Sequence, residues 1–313
     1  MRALLLTLGH NSSACLVEDG ELVWGYETER ITGKKSDSHM PEAVMDLKSV
    51  KNLDMAYVTH WAPDGALSSM SAKHWMPELL DGVPIRTLNP DRTHHDTHIA
   101  AAKCYAGAHI PYANKTIGLV VDGFGTYGEH FSVYDLTGGR QILVKRVHGY
   151  DTSLGLWYQY ATAFMGMQMH QDEYKLLGYE VHAPVGLLDR LDKDASKAAE
   201  DWIERMSWSP YGSQYDPMYD LGALANVKQE IFNHLLGVVT RYNVADPTSF
   251  EGRALLSYYV QAVLENVILT IVDTYGATNL ICSGGVFYNV KLNKRLVDRT
   301  KGKICIYPLA GDQ

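Results

Sequence analysis

The sequence predicts an α/β protein of two lobes with mixed sheets, each lobe built on the same plan and the two divided by a cleft. Three observations predict it. Residues 2–27 read as strand, small-residue turn, strand, tight turn, strand. Residues 116–147 repeat that order with little identity, which reads as an internal duplication. Helical patterns fill most of the rest of the second half. The duplication sets the expected domains: lobe I over residues 1–115, lobe II over 116–313, and an insertion at about 187–240.

The apolar run Arg2 to Leu8 is a buried first strand; it is too short for a leader peptide. Gly9-His10-Asn11-Ser12-Ser13 is a polar turn, followed by strands near 14–17 and 22–27. Pro41 opens a short helix to about Val50, and Met55 to His60 is a strand. Residues 62–92 read as irregular, with a helical patch near His74 to Leu80. Thr93 caps a helix carrying His94, His95 and His98, which Gly107 and Pro111 stop. The second meander uses Thr116 to Val121, the glycine-rich turn Asp122 to Gly128, and strands at 129–134 and 141–147. Helices follow at 153–168, near Lys175, at 187–206, 223–240 and 251–276. A buried strand at 279–282 then leads through Ser283-Gly284-Gly285 into a helix bearing Asn289 and Asn293, and 303–307 is the last strand.

The chain has 313 residues, 46% hydrophobic and 20% charged, with a formal net charge of -8. That balance argues against a nucleic-acid surface as the main business. Four scattered cysteines without a CxxC argue against a disulfide framework or zinc knuckle. They fit a reducing, cytoplasmic compartment. No stretch reads as a membrane span.

His94 and His98 stand one helical turn apart on one face, a spacing that lets two imidazoles hold one divalent metal. The turns Gly9–Ser13 and Asp122–Gly128 each offer backbone amides to an anion, and a strand–Gly-Gly–helix unit lets backbone approach a nucleotide. Each reading has a plain alternative. The histidines could face solvent, Lys175 could be a solvated helix-start lysine, and Asn289 could simply cap its helix.

Seven short segments fall in register with one family: Gly9-His10-Asn11-Ser12-Ser13-Ala14-Cys15-Leu16-Val17, Glu27-Thr28-Glu29-Arg30, His94-His95-Asp96-Thr97-His98, Ser153-Leu154-Gly155, Lys175-Leu176-Leu177-Gly178, Gly284-Gly285-Val286-Phe287-Tyr288-Asn289 and Pro308-Leu309-Ala310-Gly311-Asp312. The sequence resembles the O-carbamoyltransferases that decorate antibiotics and nodulation factors. The resemblance implies the actin-like (ribonuclease H-like) fold shared with sugar kinases and tRNA threonylcarbamoyl-adenosine transferases. It implies a metal, typically Fe2+, held by His94, His98 and Asp312. The donor it implies is carbamoyl adenylate, made from carbamoyl phosphate and ATP, and the acceptor is a hydroxyl. Gly123, Gly125, Lys175, Gly284, Gly285 and Asn289 are then expected to hold the nucleotide. His10 would take the acceptor's proton and Asp122 would orient a ribose or amine group. Tyr174 precedes Lys175 where relatives carry Gly, and Ile99 follows His98 where they carry Ala. The adenylate-forming domain of full-length relatives is not among these residues, so the reading expects a separate domain or protein to supply the donor. A tRNA threonylcarbamoyl transferase and a non-catalytic nucleotide- or metal-binding regulator are the other two readings. A metalloprotease is disfavoured because HxxxH lacks the Glu of HExxH.

Overall fold

The computed structural model describes residues 1–8, 12–34, 37, 39, 50–60, 80–87, 93–107, 109–208 and 221–308. The chain divides into two units, Met1–Thr93 and His94–Gly311.

In the first unit, β1 (Arg2–Leu8), β2 (Ser13–Glu18) and β3 (Glu21–Glu27) form an antiparallel meander. Helix α1 (Thr28–Thr32) follows directly. Strands β4 (Met55–His60) and β5 (Ile85–Thr87) add in parallel on the other side of β1, so the order is β3-β2-β1-β4-β5. Leu4, Leu6, Ala14, Leu16, Ala56 and Val58 alternate along their strands and are buried together. The edge strand β3 leaves Leu22, Val23 and Tyr26 exposed.

The second unit repeats this plan. After α2 (His94–Ala106), strands β6 (Thr116–Val121), β7 (Glu129–Asp135) and β8 (Ile142–His148) make an antiparallel meander. Next come α3 (Leu154–Phe164), α4 (Glu173–Tyr179), α5 (Leu188–Trp208), α6 (Leu221–Arg241) and α7 (Phe250–Tyr275). Strand β9 (Asn279–Ser283), helix α8 (Val290–Arg299) and strand β10 (Ile304–Ile306) complete the unit. Both β9 and β10 join in parallel, so the order β8-β7-β6-β9-β10 matches the first sheet strand for strand and direction for direction. This duplicated mixed-sheet plan is the one expected of an actin-like fold.

Strands β6 and β9 are buried at every residue, because helices cover both faces of the sheet. On one face Ile99, Ala102 and Ala106 of α2 pack on Val120, Tyr134 and Ile281. On the other, Trp157 of α3 and the long α7 anchor the larger core, with Trp202 of α5 edge-on to Trp157 at 5.3 Å between ring centres. Ser249 caps α7 by accepting from the Gly252 amide at 3.1 Å, and Gly276 ends it in the left-handed region.

Three expectations change, and a fourth group falls outside the described residues. The irregular stretch before the histidines contains β5, a three-residue strand too short for a hydrophobic pattern to reveal. Helix α2 was placed in lobe I, but it belongs to the second unit because its apolar face packs on β6 and β9; the boundary therefore falls before His94, not at residue 115. Phe250–Tyr275 is long and apolar enough to cross a membrane, although 72% of its most apolar window is buried in the core. The polar turn around His10, the expected helices at 41–50 and 74–80, and Asp312 lie outside the described residues.

Candidate metal centre

Helix α2 is placed by its own first turn. Its His94 amide donates to Thr126 Oγ1 at 3.0 Å and its His95 amide donates to Glu129 Oε1 at 2.8 Å. These bonds satisfy amides that an isolated helix leaves open. Apolar residues on the far face press the helix onto the sheet, so His94 and His98 share the remaining side. Their Nε2 atoms lie 3.0 Å apart, and the rings meet edge-on with centres 4.5 Å apart.

The third donor comes from the end of β6. Asp122 Oδ2 stands 3.4 Å from both His94 Nε2 and His98 Nε2, while its Oδ1 accepts the Gly123 amide at 2.7 Å. All three ligand atoms lie within 4.8 Å of one another. Two imidazoles and one carboxylate on one side are the donor set of a facial triad, which leaves other coordination positions open. Ligand spacings near 3 Å are what metal–ligand bonds of about 2.1 Å produce at adjacent positions. His98 Nδ1 lies 3.2 Å from Ser283 Oγ at the end of β9. A proton on Nδ1, donated to the hydroxyl, frees the Nε2 lone pair for a metal. The residues present therefore fit a first-row divalent metal.

Crowded backbone holds this arrangement. A Cβ on Gly125 would stand 2.6 Å from the His94 ring. A Cβ on Gly155 would stand 2.5 Å from the Gly123 nitrogen, and one on Gly284 would stand 2.3 Å from the Val121 carbonyl oxygen. Ser153 caps α3 by accepting the Leu156 amide, and its hydroxyl also donates to the Gly123 carbonyl. Three segments thus meet at the C-terminal ends of the parallel strands β6 and β9, where α/β sheets place their ligands.

The sequence-predicted residues divide accordingly. His94, His98, Gly123, Gly125, Gly284 and Gly285 are brought together. Asp122 joins them as a metal-type donor, a role the sequence reading did not give it. The available signal was an acid at the end of an apolar strand, directly before a glycine. A Cβ on Gly284 would run into the Val121 backbone, and one on Gly285 would reach Asp122 Oδ1 at 3.0 Å, so neither position has room for a side chain. Asn289 caps α8 by accepting the Leu292 amide at 3.0 Å, and its Nδ2 donates to Gln261 Oε1 at 2.8 Å. Lys175 pairs with Asp172 at 2.8 Å, and that hydrogen bond raises its pKa. His95, which the spacing leaves off the metal face, is fully buried with Nδ1 2.8 Å from Ser132 Oγ; burial holds its imidazole well below the usual range. His10 and Asp312 cannot be placed in this site because they fall outside the described residues.

The profile of the family described as "Carbamoyltransferase N-terminus" matches residues 85–313. The chain belongs to this family. Among curated proteins, it is 27% identical to an uncharacterized protein of Synechocystis sp. over 97% of the chain and 53% of that protein. It is 24% identical to an uncharacterized protein of Methanocaldococcus jannaschii over 97% of the chain and 54% of that protein. It is 21% identical to the nodulation protein NolNO of Sinorhizobium fredii over 93% of the chain and 42% of NolNO. The chain thus spans about half the length of the curated relatives it matches. Among solved structures, full-length HypF in its phosphate- and nucleotide-bound form aligns with 97% of this chain and 52% of its own, at 16% identity and a TM-score of 0.44. The activator of 2-hydroxyisocaproyl-CoA dehydratase from Clostridium difficile, with bound ADPNP, aligns with 99% of this chain and 90% of its own, at 12% identity and a TM-score of 0.45.

Proposed function

We propose that this family member is the transferase part of a metal-dependent O-carbamoyltransferase. It moves a carbamoyl group from carbamoyl adenylate to a hydroxyl of a small-molecule or modified-nucleotide acceptor. The family match supports carbamoyl transfer. The observation that carries the metal-dependent reading is the convergence of His94, His98 and Asp122 at the ends of β6 and β9.

In this proposal His94, His98 and Asp122 hold Fe2+, with Asp312 as a further ligand. When bound, such an ion polarises a carbonyl or phosphoryl oxygen of the donor. The acceptor oxygen bonds to the carbamoyl carbon, the carbon–oxygen bond to phosphate breaks, and AMP leaves with the electron pair. The acceptor's proton goes to His10, whose neutral imidazole suits that task near pH 7. Gly123 is the member of the turn with room beside it: a Cβ there would meet nothing nearer than Gln159 Nε2 at 3.8 Å. Its amide already donates to Asp122, so the turn holds the carboxylate in place for its ligand role.

The test supplies preformed carbamoyl adenylate, so a separate adenylate-forming domain is not needed. Wild type and His98→Ala are compared for bound iron and for carbamoyl gain across pooled hydroxyl acceptors by mass spectrometry. The variant is expected to lose both. Unchanged iron content and transfer would overturn the assignment. Threonylcarbamoyl transfer to tRNA in a parallel reaction would favour the tRNA-modifying relative instead.

A further inference from the structure

Behind the histidine pair lies a buried charged cluster that takes no part in the proposed chemistry. Glu129, at the start of β7, has no exposed surface. Its Oε1 accepts the His95 amide at 2.8 Å, and its Oε2 pairs with Arg146 Nε of β8 at 2.9 Å. Arg146 Nη2 donates to Asp96 Oδ1 at 2.8 Å and to the Tyr134 hydroxyl at 2.7 Å. The Tyr134 hydroxyl donates to Asp96 Oδ1 at 2.8 Å. Gln141 Nε2 reaches the Asp96 carbonyl at 3.2 Å. The side chains of Asp96 and Arg146 are 12% and 10% exposed.

We propose that Glu129, with Arg146 and Asp96, is a positioning device for the metal histidines: it fixes the first turn of α2 and offsets the positive end of that helix, so that His94 and His98 can share a divalent cation. This inference rests on the metal reading above.

The physical argument has two parts. First, the cluster ties the helix at two consecutive positions, beside a third held by Thr126. Thr126 takes the His94 amide, Glu129 takes the His95 amide, and the Asp96 side chain is gripped by Arg146 and Tyr134. His95 and Asp96 directly follow the first metal histidine, His94, and His98 stands one turn after it. A planar guanidinium held from several sides fixes direction as well as distance. Second, a helix N-terminus carries roughly half a positive charge, which opposes a cation bound at the same turn. Two carboxylates and one guanidinium leave a net negative charge buried against that end. An ion pair sealed from water is screened little by salt.

The experiment titrates the metal-free full chain with cobalt(II), whose visible absorption reports both affinity and ligand geometry, and measures thermal unfolding alongside. Glu129→Gln keeps the size of the side chain but removes the charge that faces Arg146. It is expected to weaken cobalt binding about 10- to 100-fold and to alter the visible spectrum. Tyr134→Phe removes one hydroxyl from the grip on Asp96 and is the variant that decides the matter if Glu129→Gln does not fold. It is expected to shift affinity in the same direction by a smaller factor. Asp194→Asn breaks an ion pair between α5 and α6, elements that supply none of these residues, and is expected to leave the cobalt affinity and spectrum unchanged. Variants that unfold at lower temperature yet bind cobalt with wild-type affinity and spectrum would overturn the positioning role. Wild-type protein that binds no cobalt, or binds it equally well with His98→Ala, would overturn the metal reading itself and this inference with it.

Discussion

Gly125 shows how closely the candidate centre is built. Any side chain there begins with a Cβ only 2.6 Å from the His94 ring, well inside contact distance. Gly125→Ala must therefore push the imidazole away from His98 and Asp122. The expected result is at least a ~10-fold loss of metal affinity, by analogy with disturbed supporting contacts, together with about 1–3 kcal/mol of lost stability from overpacking. Metal titration and denaturant unfolding check both, and an unshifted affinity would show that His94 is not held in place by this contact. At this scale the sequence was half legible. The i, i+4 spacing identifies His94 and His98 without a structure, because a helix turns by a fixed amount per residue. The sequence marks Asp122 as a candidate to orient a ribose or amine group, but not as a metal-type donor. Its role depends on β6 ending beside α2, a tertiary fact that no local pattern encodes.

Helices α5 and α6 are joined by a polar contact that is expected to respond to acid. Arg241 Nη1 donates to Asp194 Oδ2 at 2.7 Å, and the Tyr242 hydroxyl donates to the same oxygen at 2.9 Å. Burial by itself would raise the Asp194 carboxyl, but the hydrogen bonds from Arg241 and Tyr242 outweigh it and hold the group below its ordinary range. A carboxylate depressed in this way stabilises the folded state above its unfolded pKa near 4 and loses that contribution as pH falls through its lower folded value. Because Arg241 is half exposed, the contribution is about 0.5–1 kcal/mol after screening. Unfolding free energies measured between pH 6 and pH 2 are expected to fall more in wild type than in Asp194→Asn, and equal slopes would contradict the assignment. Most of the elements were legible. Apolar runs of strand length and long periodic helices announce themselves, and Gly276 marks the end of α7 by the left-handed backbone it adopts. β5 was missed because three residues give no period to read. The apolar character of α7, which by composition resembles a membrane span, reflects instead its burial on nearly every side within the core.

At the level of the whole molecule, two sheets share one strand order although their sequences have diverged, so topology has outlasted identity. That plan was inferred from turn positions rather than from matching residues. The assignment of α2 failed because chain order placed it after the first sheet, whereas its apolar face fits the second. The same topology has a kinetic consequence. β6 gains its parallel neighbour only when Asn279 arrives beside Thr116, 163 residues later, and the His98 imidazole finds Ser283 across a separation of 185. Contacts that distant close slowly, after local helices have formed. Capture of an ion by the histidine pair should therefore mark the end of the second unit's assembly. In stopped-flow refolding, cobalt absorption is expected to lag behind the far-ultraviolet helical signal; simultaneous appearance would mean that α2 alone suffices. If the proposed centre binds an ion, a nascent chain would accordingly be unable to retain it until synthesis has passed β9, with the histidines long since translated and waiting for the support of Ser283.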